Sequence, residues 1–237
     1  MTARCVIRSG YSMQSASLLE LPNHRIECHT LGPYATNCYI VWPKGAADPA
    51  PCWIIDASFD PEPMIASIKA RNLSPVKLIY THAHIDHIAG AHSLLRTLGP
   101  LQTHIHPLEE KWLLDPELNL SAFTGVPVTA PPVTDLAPEG TLLKLGGTQP
   151  WKVLHLPGHS PGSIGLYNSE DNVIISGDAL FQGSVGRTDF PGCSQQQLTE
   201  SIKTKLYTLN GLTVVLPGHG PSTTIAHEKA TNPYVRG

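Results

Sequence analysis

Apolar residues along this chain come in short runs set off by polar and turn-forming stretches. Runs at 38–42, 52–55, 77–80 and 101–105 have the length of strands rather than helices, as do those at 141–145, 151–156, 163–167, 173–176 and 213–216. Helical character appears between them at 63–70, at 90–98 and at 107–114, the last opening on Pro107 with Glu109 and Glu110 in its first turn. Leu198, Ile202 and Leu206 recur every four residues behind Ser194, a suitable N-cap, and predict a helix over 194–206. Strands alternate with helices, and strand-rich stretches lie near both ends, which predicts an α/β fold. Residues 115–140 hold five prolines and no clean periodicity, so they read as a long surface excursion of the kind that often carries function.

Composition narrows the function classes. The chain has 237 residues and is 41% hydrophobic, enough for one fairly large core, so a single domain is expected over 25–237. Residues 1–24 read as a flexible tail; Arg4, Arg8 and four serines ahead of the first acid, Glu20, leave an organelle-targeting leader as the alternative. Sixteen Lys and Arg against 19 Asp and Glu give a net charge of −3, which offers no basic footprint for nucleic acid. No stretch approaches the roughly 18 consecutive apolar residues of a membrane span. The five cysteines are scattered without a CxxC pair, which fits a reducing, cytoplasmic compartment better than a disulfide framework or a thiolate zinc site. The 12 histidines, in contrast, are unevenly placed.

Four of the informative positions follow one strand run directly: His82, His84, Asp86 and His87 come just after 77–80. Residues two apart in an extended segment point the same way, so His82 and His84 can converge on one point while Asp86 and His87 face a second. Imidazole nitrogen with carboxylate oxygen is a ligand set for zinc, iron or manganese. Three more residues each follow a strand run in a glycine-bearing turn: His159 after Pro157 and Gly158, Asp178 after Gly177, and His219 after Pro217 and Gly218. Strand termini along one sheet edge are where α/β proteins build their sites. Seven ligands suit two metals sharing one carboxylate. Two divalent cations bridged by solvent make hydroxide available near neutral pH, and that hydroxide can attack a carbonyl.

With these motifs in hand, the chain resembles the metallo-β-lactamase superfamily, and within it the glyoxalase II (hydroxyacylglutathione hydrolase) branch in its short form. The likeness also takes in Asn37, Cys38 and Tyr39, Ile55 with Asp56, the stretch 186–190, and Thr231 to Tyr234 near the end. It implies a four-layer αβ/βα sandwich and a metal-dependent hydrolase of thioesters of the S-lactoylglutathione type. His82, His84 and His159 would hold one metal, Asp86, His87 and His219 the other, and Asp178 would bridge them. The expected cofactors are two divalent ions, zinc first, with iron or manganese as alternatives. Asp86 and Asp178 are the expected catalytic carboxylates. Asp56 is a candidate acceptor for a ligand histidine's second N–H. Arg187 is a candidate contact for an anionic substrate, against the alternative that it pairs with Asp189 to hold its loop. The remaining histidines, at 24, 29, 92, 104, 106, 155 and 227, receive no role.

Full-length glyoxalase II enzymes carry a helical C-terminal domain that supplies much of the glutathione pocket, whereas 18 residues follow His219 here. A small molecule bearing a thioester is therefore the expected partner, with glutathione specificity open. Oligomeric state is not fixed by the sequence. The competing reading is a persulfide dioxygenase with a single iron, which resembles this chain at 186–190; the turn Pro217 to Pro221 favours the hydrolases. β-Lactamase, ribonuclease and non-catalytic binding roles fit the sequence less well.

Overall fold

A computed structural model describes residues 16–237. Two mixed sheets form the centre. The first contains β1 (Ala16–Glu20), β2 (His24–Leu31), β3 (Thr36–Pro43), β4 (Ala50–Ile55), β5 (Leu73–Ile79), β6 (Gln102–Ile105) and β7 (Asp135–Leu136), in that spatial order. Its pairings are antiparallel up to β4 and parallel from β4 onward. The second contains β8 (Leu142–Leu143), β9 (Trp151–His155), β10 (Ile164–Asn168), β11 (Val173–Gly177), β14 (Val214–Pro217) and β15 (Thr223–Thr224), running β15-β14-β11-β10-β9-β8. A small hairpin, β12 (Leu180–Phe181) with β13 (Ser184–Val185), lies between β11 and β14 in the chain.

Alternation along the strands explains the layering. In β3 and β4, Tyr39, Val41, Trp53 and Ile55 face the second sheet and pack on Trp151, Val153, Ile164 and Ile175. Their neighbours Cys38, Ile40, Cys52 and Ile54 face the opposite way, under α1 (Glu62–Ala70) and α3 (Ala91–Leu98), where they meet Met64, Ile68 and Leu94. On the far side Leu154, Leu156, Ile174 and Val215 are covered by Leu198, Ile202 and Ile225, from the stretch containing α4 (Gln195–Ser201) and from α5 (Ile225–Thr231). Both faces of the central strands are thus buried, and the layers run helix, sheet, sheet, helix.

The differences from expectation have local causes. Ala16–Glu20, expected within a flexible tail, is an edge strand paired to β2 from Ala16↔His29 to Glu20↔Arg25; it is short and mostly exposed, with Leu19 alone packed against the core. His24 likewise opens β2 rather than closing a tail. Residues 1–15 lie outside the described residues. Within the 115–140 excursion sit a 3₁₀ turn, Ser121–Thr124, and the short edge strand β7. Residues 107–114 form a 3₁₀ helix, and α4 passes into a π-helical turn over Ile202–Leu206, with Ser194 capping as expected through the Gln197 N–H.

Strand direction gathers the functional turns. β4 and β5 are parallel, and β9, two antiparallel steps from β11, shares a direction with β11 and β14. Their C-terminal ends therefore emerge at the same edge, and the Ile164 N–H donating to the Thr81 carbonyl at 2.8 Å ties the two sheets together there.

Candidate metal centre

After β5 the chain stays extended through His84, whose φ of −67° and ψ of 150° make it the N-cap of the one-turn helix α2 (Ile85–Ile88). His82 Nε2 and His84 Nδ1 lie 3.2 and 2.9 Å from His159 Nε2, so three imidazole nitrogens surround one point. Beside them Asp86 Oδ2 lies 3.3 Å from His87 Nε2 and 3.2 Å from His219 Nε2. Asp178 stands between the groups: Oδ1 is 3.5 Å from His87 Nε2, while Oδ2 is 3.5 Å from His159 Nε2 and 3.4 Å from His219 Nε2. All seven candidate ligands thus meet. The seven other histidines lie outside these groupings, among the described residues.

The second ring nitrogens show why those facing inward are free to ligate. His159 Nδ1 is 2.8 Å from the Arg187 carbonyl and His87 Nδ1 is 2.8 Å from Asp56 Oδ2, both acceptors only, so each Nδ1 carries the proton. Thr81 Oγ1 donates to Asp56 Oδ2 at 2.8 Å and receives His82 Nδ1–H at 3.1 Å, and the Thr81 N–H reaches Asp56 Oδ1 at 2.7 Å. Asp56 thereby orients His87 directly and His82 through Thr81. Its φ of 61° is a left-handed conformation that an aspartate tolerates.

The turn carrying His219 is clamped by the first sheet. Asn37 N–H donates to the Gly218 carbonyl at 2.7 Å, Asn37 Nδ2 reaches the Pro217 and Gly220 carbonyls at 3.0 and 2.8 Å, and Tyr39 Oη reaches Pro217 at 2.6 Å. Gly218 is required because a Cβ there would stand 2.0 Å from Asp178 Oδ1. Gly158, with φ 136°, similarly abuts the Leu198 backbone, where a Cβ would come within 2.2 Å.

The electrostatics divide the cluster. Burial, reinforced by neighbouring imidazoles, pushes the His82 proton affinity well down and that of His84 to about 3, leaving neutral rings. For Asp86 and Asp178, burial opposes ionisation but is outweighed by His87 and His219, and both carboxyls are held below the ordinary range. Against its own burial, His219 is driven up to about 10 by hydrogen bonds to Asp178 and Asp86. Burial lowers His159 as well, and these three neutral imidazoles beside ionised carboxylates form a site that attracts positive charge.

The geometry fits divalent cations. Metal–nitrogen bonds of about 2.0–2.1 Å place tetrahedral ligand atoms about 3.3 Å apart, close to the separations found here. His87 Nε2 and Asp178 Oδ1 are buried and have no hydrogen-bond partner among the described residues, a costly state that ligation removes.

Arg187 does not reach into the cluster with its charge. Its guanidinium is forked onto Asp189 at 2.9 and 2.7 Å and lies 4.4 Å from the Phe190 ring centroid, while its carbonyl holds His159. Several supporting residues carry no signal in the sequence pattern. Thr36 Oγ1 donates to Asp86 Oδ2 at 2.7 Å. Glu109, fully buried, accepts from Ala83 N–H at 2.6 Å, from Gly162 N–H at 2.7 Å and from Ser160 Oγ. Two glutamates in the first turn of a Pro-initiated helix read only as dipole partners, and Glu109's contacts lie far along the chain. The cluster opens into a cavity of about 630 Å³ that also touches Tyr34, Leu120, Phe123, Phe181 and Phe190.

A family model described as the metallo-beta-lactamase superfamily matches residues 31–219. The chain is 38% identical to the probable metallo-hydrolase YqgX of Bacillus subtilis, over 87% of this chain and 95% of that protein. It is 36% identical to hydroxyacylglutathione hydrolase GloC of Haemophilus influenzae, over 89% and 97%. Among solved structures it is similar to BLEG-1 B3 metallo-beta-lactamase, with a TM-score of 0.83 and 37% identity, covering 90% of this chain and 100% of that one. It is also similar to TTHA1623 in a di-iron-bound form, with a TM-score of 0.73 and 36% identity, covering 88% and 99%.

Proposed function

The chain belongs to the metallo-β-lactamase superfamily, and from that premise we propose that it hydrolyses thioesters with the help of two divalent cations. The observation that carries the binuclear reading is the place of Asp178, whose two oxygens lie within 3.5 Å of nitrogens from both histidine groups. His82, His84 and His159 would hold one cation, Asp86, His87 and His219 the other. Zinc suits this nitrogen and oxygen set, as does the iron named for TTHA1623. Bound there, the cations supply an acidified water and Lewis-acid polarisation of the substrate carbonyl.

The chain's own residues do the rest. Asp178 fixes the spacing of the two ligand groups. Asp86, oriented by Thr36 and partly open to the cavity, is placed to accept a hydrogen bond from the attacking water and orient it. Asp56, Thr81 and the Arg187 carbonyl keep the imidazoles in their ligating tautomers. In the net reaction a carbon–oxygen bond forms from water, the carbon–sulfur bond breaks, and a carboxylic acid and a thiol leave. A thiolate is stable enough near neutral pH to depart without a dedicated acid, which suits a thioester. The similarity to GloC supports the same choice of bond.

β-Lactam hydrolysis is the second reading, favoured by the similarity to BLEG-1. The test is to load the protein with zinc, iron or manganese, measure metal content, and follow thiol release from S-lactoylglutathione alongside nitrocefin opening and oxygen uptake with glutathione persulfide. Thiol release with two metals per chain is the expected result. Nitrocefin turnover alone, or oxygen uptake with one iron, overturns the proposal.

A further inference from the structure

The wall of the cavity facing the ligand cluster is built from apolar side chains contributed by four separate segments. Tyr34 comes from the turn between β2 and β3, Phe123 from the 115–140 excursion, Phe181 from β12 and Phe190 from the stretch after β13. Tyr34 is 45% exposed and Phe123 75% exposed, so neither serves the core. Large apolar side chains gathered in the open around a polar centre mark a binding surface. Two of them stand against the ligands themselves: Phe190 packs edge-on against His84 at 5.8 Å between centroids, and Phe181 against His219 at 5.9 Å.

Charge is the second observation. Arg187 is the one Lys or Arg in the cavity lining, among the described residues. Its fork is filled by Asp189 and its face by Phe190, so a substrate carboxylate would have to displace an existing partner to reach it. Glutathione carries carboxylates and an ammonium group, and the lining offers no uncommitted charge to meet the carboxylates.

We propose, on the basis of the thioester reading above, that this wall is a subsite for an uncharged, apolar body on at least one side of the scissile bond. The preferred substrate class is then a neutral thioester of an alkyl or aryl acid or thiol rather than a glutathione conjugate. Each methylene drawn from water onto the wall raises kcat/KM by about two- to fourfold, the upper end corresponding to complete burial.

The metal-loaded protein is assayed with two series, acyl-N-acetylcysteamine thioesters from acetyl to octanoyl and acetyl thioesters of alkanethiols of matching lengths, with S-lactoylglutathione for comparison. Calorimetric titration with the non-hydrolysable S-hexyl and S-methyl thioethers of N-acetylcysteamine reads binding independently of turnover. A climb in at least one series, tighter binding of the hexyl than the methyl thioether, and loss of both trends in Phe123→Ser are the expected results. Thioester cleavage that is flat in both series, with S-lactoylglutathione preferred and the two thioethers bound alike, overturns the subsite and leaves the hydrolase standing. Preferential binding of the hexyl thioether, lost in Phe123→Ser, without cleavage of any thioester removes the hydrolase reading and keeps the apolar subsite.

Discussion

The Ala83 N–H donates to Glu109 Oε2 at 2.6 Å, and Ala83 is the residue between His82 and His84. The same carboxylate holds Ser160 Oγ and the Gly162 N–H, just past His159. One buried acid thus sets the distance between the two loops that supply the first three imidazoles. Burial raises its proton affinity even though all three partners lower it.

Glu109→Gln keeps the shape but turns one acceptor oxygen into a donor facing a donor. The expected cost is about 1–3 kcal/mol of stability and a roughly 10- to 100-fold loss of metal affinity, as for other groups that orient ligands. Thermal unfolding and competition with a chromogenic chelator measure the two. Unchanged affinity would show that the loops hold their spacing without it.

Asp56→Asn leaves a neutral acceptor for His87 Nδ1 and weakens the links to Thr81. Metal affinity is expected to fall about 10-fold or more, with the second cation lost first because His87 belongs to that group. Metal content after dialysis against graded chelator distinguishes loss of one ion from loss of both.

His219→Ala removes a candidate ligand whose ring is joined to both Asp86 and Asp178. Bound metal is expected to drop from two ions to one per chain, with thioester turnover reduced by at least about 100-fold, of the order expected for losing Lewis-acid stabilisation of the reacting oxygen. Full activity in this variant is incompatible with a binuclear hydrolase.

These positions differ in how readily the sequence reveals them. His82 and His84 are legible because Asp86 and His87 follow them at the strand end, a continuation the i, i+2 pair His104 and His106 at β6 lacks, and His159, Asp178 and His219 because each sits in a glycine turn after an apolar run. β2 is not legible: its buried positions include His24, Glu27 and His29, which are paired with Asp171, Arg71 and one another rather than patterned as apolar. Glu109 is hidden because its partners lie 26 to 53 residues away. The apolar wall is hidden for the same reason, since only the folded chain brings Tyr34, Phe123, Phe181 and Phe190 together.

His106 supplies a pH test away from the metal centre. Its ring is stacked on His155 at 4.1 Å, accepts the Leu108 N–H, and is pushed down to about 4 by burial and the His155 charge. An unfolded histidine titrates near 6.5. Between about pH 6.5 and 4 the unfolded chain therefore binds more protons, so stability present above this window is lost as pH falls through it. His106→Asn keeps an acceptor for Leu108 and removes the titration. Its Tm is expected to fall less than that of the parent between pH 7 and 5, by about 2 °C; parallel Tm curves would exclude His106 as the cause.

The candidate ligands are divided between the sheets, with His82, His84, Asp86 and His87 following β5 and His159, Asp178 and His219 following β9, β11 and β14. On a ribosome the first four emerge long before the last. A growing chain therefore presents an incomplete claw to free cellular ions until β14 has been made, and captures its full complement only when the two sheets close on each other. Uptake of the second ion then reports finished assembly, since a chain that stalls short of β14 lacks His219 and could fill at most the first site.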